Sequence, residues 1–98
     1  MHIGNNTVIN PHCYLDNRRG IYIGNNVVIS HHTKIYTLGH DYNHSEYIAI
    51  GAAVKIEDFV VVFSNVLIMP GVTIKKGAVI LSGSVVVKDV EEMDVMGG

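Results

Sequence analysis

The side chains of this 98-residue chain best able to do chemistry are six histidines, one cysteine and a few lysines and arginines. His40 stands in the segment 37–49, TLGHDYNHSEYIA. Imidazole titrates near neutral pH, so a loop histidine is a candidate general base for activating a hydroxyl; its plainer reading is a solvated loop side chain. The other histidines have no metal-binding spacing. There is no His-Glu-x-x-His and no Cys/His pair at zinc spacing, so no metal is expected. His12 and His32 occupy the same position of successive repeats and could stack, whereas the neighbours His31 and His32 should diverge. Cys13 falls at an inward position and reads as an inert core thiol. Lys75 and Lys76 read as solvated turn residues. Arg18 and Arg19 could meet an anionic acceptor or a neighbouring subunit, or simply be solvated.

These residues must be positioned by strands. The chain holds 15 Val and 12 Ile against 4 Leu and 4 Ala, so β-branched residues greatly outnumber the best apolar helix formers. Ten Gly and eight Asn supply many positions able to take positive φ, so turns should be frequent. A net charge of −2 with seven Lys and Arg suggests no nucleic-acid groove and no membrane-attracting face, so neither partner is expected. One cysteine excludes an internal disulfide framework. No apolar run approaches the roughly 20 residues that span a bilayer, and the N-terminus lacks the charged and apolar regions of a signal peptide, so a cytoplasmic location is expected. One domain over 1–98 is expected from the length.

A six-residue repeat decides the architecture. An aliphatic residue recurs at Ile50, Ile56, Val62, Ile68, Ile74, Ile80 and Val86, and earlier at Ile3, Ile9, Leu15 and Ile23, Ile29, Ile35. Four positions later comes a small or β-branched residue, from Val54 to Val90. Three positions later stand Asn6, Asn26, Asn65, Gly71, Gly77 and Gly83, types that visit the left-handed region cheaply; for Asn65 this turn role outweighs a site role. Pro11 and Pro70 precede such positions. A period of six fits neither a helix nor a long alternating strand; it fits a short strand and a turn, wound into a solenoid. With three sides to a coil, the chain makes about five coils. The phase slips by two residues between Leu15 and Ile23 and by nine between Ile35 and Ile50, each time after a third side. Both insertions should leave at one corner, and the larger is expected as a protruding loop at about 37–49, where function should be sought.

The stretches IGNNVVISHHTKIYTLGHD (23–41), VVVFSNVLIMPGVTI (60–74), GAVILSGSVVVKDV (77–90) and MGG (96–98) resemble the left-handed parallel β-helix, hexapeptide-repeat acyltransferases. Within them the resemblance is nearest to the galactoside, maltose and Nod-factor O-acetyltransferases. It implies an all-β, left-handed helix, a homotrimer, and active sites between subunits. It also implies acetyl-CoA as co-substrate and a saccharide hydroxyl as acceptor.

Carried over residue by residue, the resemblance makes His40, in T-L-G-H, the general base. Ser64 matches a small residue whose backbone N–H stabilises the thioester oxyanion. Ser82, Val87 and Lys88 match the coenzyme groove, Lys88 beside the phosphates, where an ammonium suits as a point charge. Asn10 matches an acceptor-contacting asparagine, and Asp16 and Asn17 fall near the family's acidic acceptor residue. Phe63 and Val87 depart from the pattern, which has Gly and Thr there. The family's N-terminal helical segment and C-terminal extension are expected to be lacking, which predicts weaker coenzyme binding. The competing readings are a serine-acetyltransferase-like enzyme, a γ-carbonic-anhydrase-like zinc hydratase and an inactive scaffold.

Overall fold

A computed structural model describes residues 1–40 and 49–97; for His40, Ala49 and Ile50 it describes the backbone only. All its regular structure is β. The first two coils are built from β1 (His2–Ile3), β2 (Val8–Ile9), β3 (Tyr14–Leu15), β4 (Ile21–Ile23), β5 (Val28–Ile29) and β6 (Lys34–Ile35). Next come β7 (Leu38–His40) and β8 (Ala49–Gly51). The later coils comprise β9 (Val54–Ile56), β10 (Val61–Val62), β11 (Leu67–Ile68), β12 (Thr73–Ile74), β13 (Val79–Ile80), β14 (Val85–Val86) and β15 (Val95–Met96).

Three parallel sheets form the sides of a left-handed β-helix. Sheet A runs β1-β4-β9-β12, sheet B runs β15-β13-β10-β5-β2, and sheet C runs β14-β11-β6-β3. Each repeat aliphatic lies over its counterpart one coil away, as in Ile9↔Ile29, Val62↔Ile80 and Ile68↔Val86. The core is therefore a ladder of Ile and Val, with Ile21, Ile23, Ile29, Ile35, Ile68, Ile74 and Ile80 fully buried. Val27, Val60, Val66, Val72 and Ala78 fill the corners. Polar side chains at such corners are satisfied: Thr33 Oγ1 donates to the Phe63 carbonyl (3.2 Å) and Ser84 Oγ to that of Leu81 (2.7 Å).

The turn position takes positive φ at Asn6, Asn26, Asn65, Gly71, Gly77 and Gly83, as its chemistry requires. His12, His32, Phe59 and Met93 adopt it as well. Phe59, at φ 62°, shows the repeat overriding residue preference, since a bulky side chain there is uncommon.

The phase slips are larger and more numerous than the repeat suggested. Ile50 is not a rung of the ladder: it lies in β8, antiparallel to β7, opposite Gly39. The solenoid resumes at Ile56, which pairs with Ile23. The insertion is thus 15 residues rather than nine. A third slip removes two residues, because Val90 bridges Ile74 instead of following Val86 at full spacing. Val90 is a side-wall aliphatic, and Met96 continues its phase opposite Ile80. All three slips occur where sheet C hands over to sheet A, so each leaves the prism intact elsewhere.

Candidate active site

Asn10, Ser64 and Ser82 lie on the corner between sheets B and C. Asp16, Asn17, Val87, Lys88 and the β7–β8 hairpin bearing His40 lie on the corner between sheets C and A. The expected site residues therefore fall into two groups at the opposite edges of sheet C, and one chain does not bring them together.

On the first corner, Ser64 and Ser82 occupy equivalent positions of adjacent coils, and the Ser64 carbonyl accepts from Gly83 N (3.1 Å). Among the described residues no backbone carbonyl accepts from the Ser64 N–H. Asn10 is two coils away, and its Nδ2 donates to the Ile29 carbonyl (3.1 Å). The His12 and His32 rings stack beside it, centroids 5.2 Å apart and 9° from parallel. That is the coil spacing, with the rings face to face rather than converging on one point.

The second corner is built around Asp16. Its carboxylate is buried and accepts from Arg18 Nε (2.7 Å) and Nη2 (2.8 Å), and from the Arg18 backbone (3.2 Å). The Arg18 hydrogen bond holds this carboxyl well below the usual carboxylate range, against the opposing effect of burial, and raises the Arg18 guanidinium in return. Asp16, expected near the acceptor, turns its carboxylate toward Arg18 and Thr37. Thr37, fully buried, donates its hydroxyl to the Asp16 carbonyl (2.7 Å) and accepts from Arg19 N (2.9 Å). Thr37 N faces Asp16 Oδ2 (3.4 Å), and the Thr37 carbonyl accepts from Ala52 N (3.0 Å). Asn17 Oδ1 accepts from Ile21 N (2.9 Å), closing the two-residue insertion.

This network fixes the root of the hairpin. Leu38, Gly39 and His40 pair with Gly51, Ile50 and Ala49. A side chain at Gly51 would meet Arg19 and Leu38 at 2.9 Å, so the glycine permits Arg19 to lie against the hairpin. The remainder of the expected loop, 41–48, and the His40 side chain lie outside the described residues. Val87 and Lys88 are exposed one coil above Pro70, on the same corner. Thr37 escaped the sequence reading as a functional residue; its position in T-L-G-H, directly before the slip, was the available signal.

No protein-family model and no curated protein sequence matches the chain. Solved structures do. A hexapeptide-repeat acetyltransferase from Vibrio cholerae is 36% identical over 98% of this chain and 56% of its own, with a TM-score of 0.89. A galactoside acetyltransferase in complex with coenzyme A is 33% identical over 99% of this chain and 50% of its own, with a TM-score of 0.93. A maltose O-acetyltransferase from Clostridium difficile 630 is 29% identical over 99% and 62%, with a TM-score of 0.74. The chain is a hexapeptide-repeat solenoid with hexapeptide-repeat acetyltransferases as its structural neighbours, and it spans about half the length of the first of them.

Proposed function

We propose that this chain is the solenoid of an acetyl-CoA-dependent O-acetyltransferase acting on a saccharide hydroxyl, with His40 as general base. The observation that carries the reading is the fit of nearly the whole chain to galactoside acetyltransferase, with the T-L-G-H hairpin rooted at the one corner where the solenoid slips phase. In this mechanism the His40 imidazole takes the proton of the acceptor hydroxyl. The hydroxyl oxygen attacks the acetyl carbonyl carbon directly. Ser64 N–H donates to the resulting oxyanion, a preorganised backbone donor aimed at charge that develops only in the transition state. The C–S bond then breaks, and His40 returns the proton to the departing thiolate. Ser82 and Val87 line the coenzyme, Lys88 holds its phosphates, and Asn10 and Asn17 contact the acceptor. Asp16 acts as a positioning residue for the hairpin.

The split of the residues across sheet C supports a between-copy site. Rotation about an axis in front of sheet C carries the Lys88 edge of one copy onto the Ser64 edge of the next. The outer face there carries Tyr14, Lys34, Leu67 and Val85, flanked at its corners by the exposed Phe63, Leu81 and Val87. A homotrimer is the proposed assembly, as the resemblance implies. No helix among the described residues is long and apolar enough to cross a membrane, and a cytoplasmic location, where acetyl-CoA is at hand, is retained as part of the proposal.

Thiol release from acetyl-CoA, measured across a sugar panel, tests the reading. His40→Ala should lower kcat by about 10²–10⁴-fold, the usual worth of a general base, while coenzyme binding by calorimetry stays unchanged. Unaltered turnover in that variant refutes the mechanism.

A further inference from the structure

The outer face of sheet A carries a concavity that the proposed chemistry does not use. It encloses about 810 Å³, within the range of sites that hold small organic ligands. Its floor is the sheet itself at Ile23 and Ile56, and its walls include His2, Tyr22 and Lys55, which stand on three successive coils. Lys76 and Glu92 close the far end. The near end is Ala53, two residues beyond β8, so the groove begins at the root of the His40 hairpin.

The polar groups are of two kinds. Glu57 and Asp58 are engaged, their carboxylates accepting from Lys76 N (3.1 Å) and Asn25 N (2.8 Å). The side chains of His2, Lys55, Lys76 and Glu92 form no hydrogen bond to another described residue. Tyr22 is 50% exposed, and its ring passes close over Gly20, where an added Cβ would meet it at 3.1 Å. The glycine thus leaves room for the aromatic platform. A half-exposed ring edged by donors and an acceptor matches a sugar, whose C–H face packs on the ring while its hydroxyls meet the polar rim.

We infer that this groove is an extended acceptor subsite, which holds the part of an oligosaccharide beyond the sugar being acetylated. The inference rests on the saccharide-acceptor reading and adds chain-length preference to it. The groove favours acceptors of two or more sugars, with Tyr22 and Lys55 setting that preference away from the reacting hydroxyl.

The test compares galactose, maltose, maltohexaose, sialic acid and oligosialic acid as acceptors and as ligands. Tyr22→Ala and Lys55→Ala should each raise KM for the longest accepted oligosaccharide roughly 2–10-fold, the range expected for one aromatic contact, with kcat and the monosaccharide KM unchanged. Tyr22→Phe, which keeps the ring, should stay near the parent. Saturation-transfer NMR should show oligosaccharide contact that Tyr22→Ala removes, a readout independent of turnover. If no sugar is acetylated yet oligosaccharide still binds at Tyr22, the transferase reading fails and with it the acceptor role of the groove, which is then an oligosaccharide-binding surface. An unchanged ratio of long to short KM, an equal rise in both, or no binding of any probe overturns the subsite. So does a Tyr22→Ala variant that has lost its fold or altered its sedimentation, provided Lys55→Ala leaves the KM ratio unchanged.

Discussion

Asp16 shows how one side chain is claimed by its neighbours. By resemblance it falls near the family's acidic acceptor residue, and its oxygens already meet Arg18 and Thr37. Its ionised form stabilises the fold, because the folded pKa lies below the unfolded value of about 3.9. That contribution is complete above the unfolded pKa and is lost as pH falls through the lower folded value. Asp16→Asn should therefore melt below the parent at pH 7, and the gap should narrow steadily below about pH 4. Circular dichroism melts at pH 7, 5 and 3 give the comparison, and a gap that stays constant to pH 3 contradicts the assignment.

Among the elements, the root of the hairpin is tied to the preceding coil by Thr37. Its hydroxyl serves a carbonyl from one side of the insertion and an N–H from the other. Thr37→Val keeps the shape but leaves both groups unpaired, a cost of about 1–3 kcal/mol for a buried polar group. Activity should fall through kcat as the His40 strand loses its register, with coenzyme affinity held; equal losses in both would place Thr37 in binding instead. The hexad repeat made the three sides, the inward ladder and the glycine and asparagine turns legible. It also exposed the His12–His32 stack, because a six-residue period fixes which residues share a corner. It misplaced Ile50, which stands six residues before Ile56 by coincidence of spacing and belongs to an antiparallel pair. It missed the slip at Val90, where a bridge to Ile74 replaces a full side. Thr37 was obscure for another reason: its role comes from hydrogen bonds to Asp16, 21 residues away in the preceding coil, which no local spacing announces, whereas the Asp16 pairing with Arg18 is local.

At the scale of the whole molecule, the solenoid separates residues that the proposed chemistry needs together. Ser64 and Ser82 occupy one edge of sheet C, while His40 and Lys88 occupy the other. The strands between them are two residues long, and the described residues of one chain leave the two edges on either side of the sheet. In the proposed homotrimer, association in front of sheet C would close the gap without deforming either copy and would cover the apolar side chains that flank the site. Val85 stands on β14, the last strand of sheet C, 50% exposed and beside Leu67, with its side chain outside the core. Val95, 66% exposed on β15, occupies the matching outward position on sheet B and serves as the control. Val85→Asp should dissociate the assembly and abolish turnover, because three buried carboxylates would have to crowd about one axis without partners. Val95→Asp should change neither. Sedimentation velocity across micromolar concentrations reads the first effect and thiol release the second. A Val85→Asp protein that remains assembled and active would mean that sheet C faces solvent and that the two edges are not joined by a second copy.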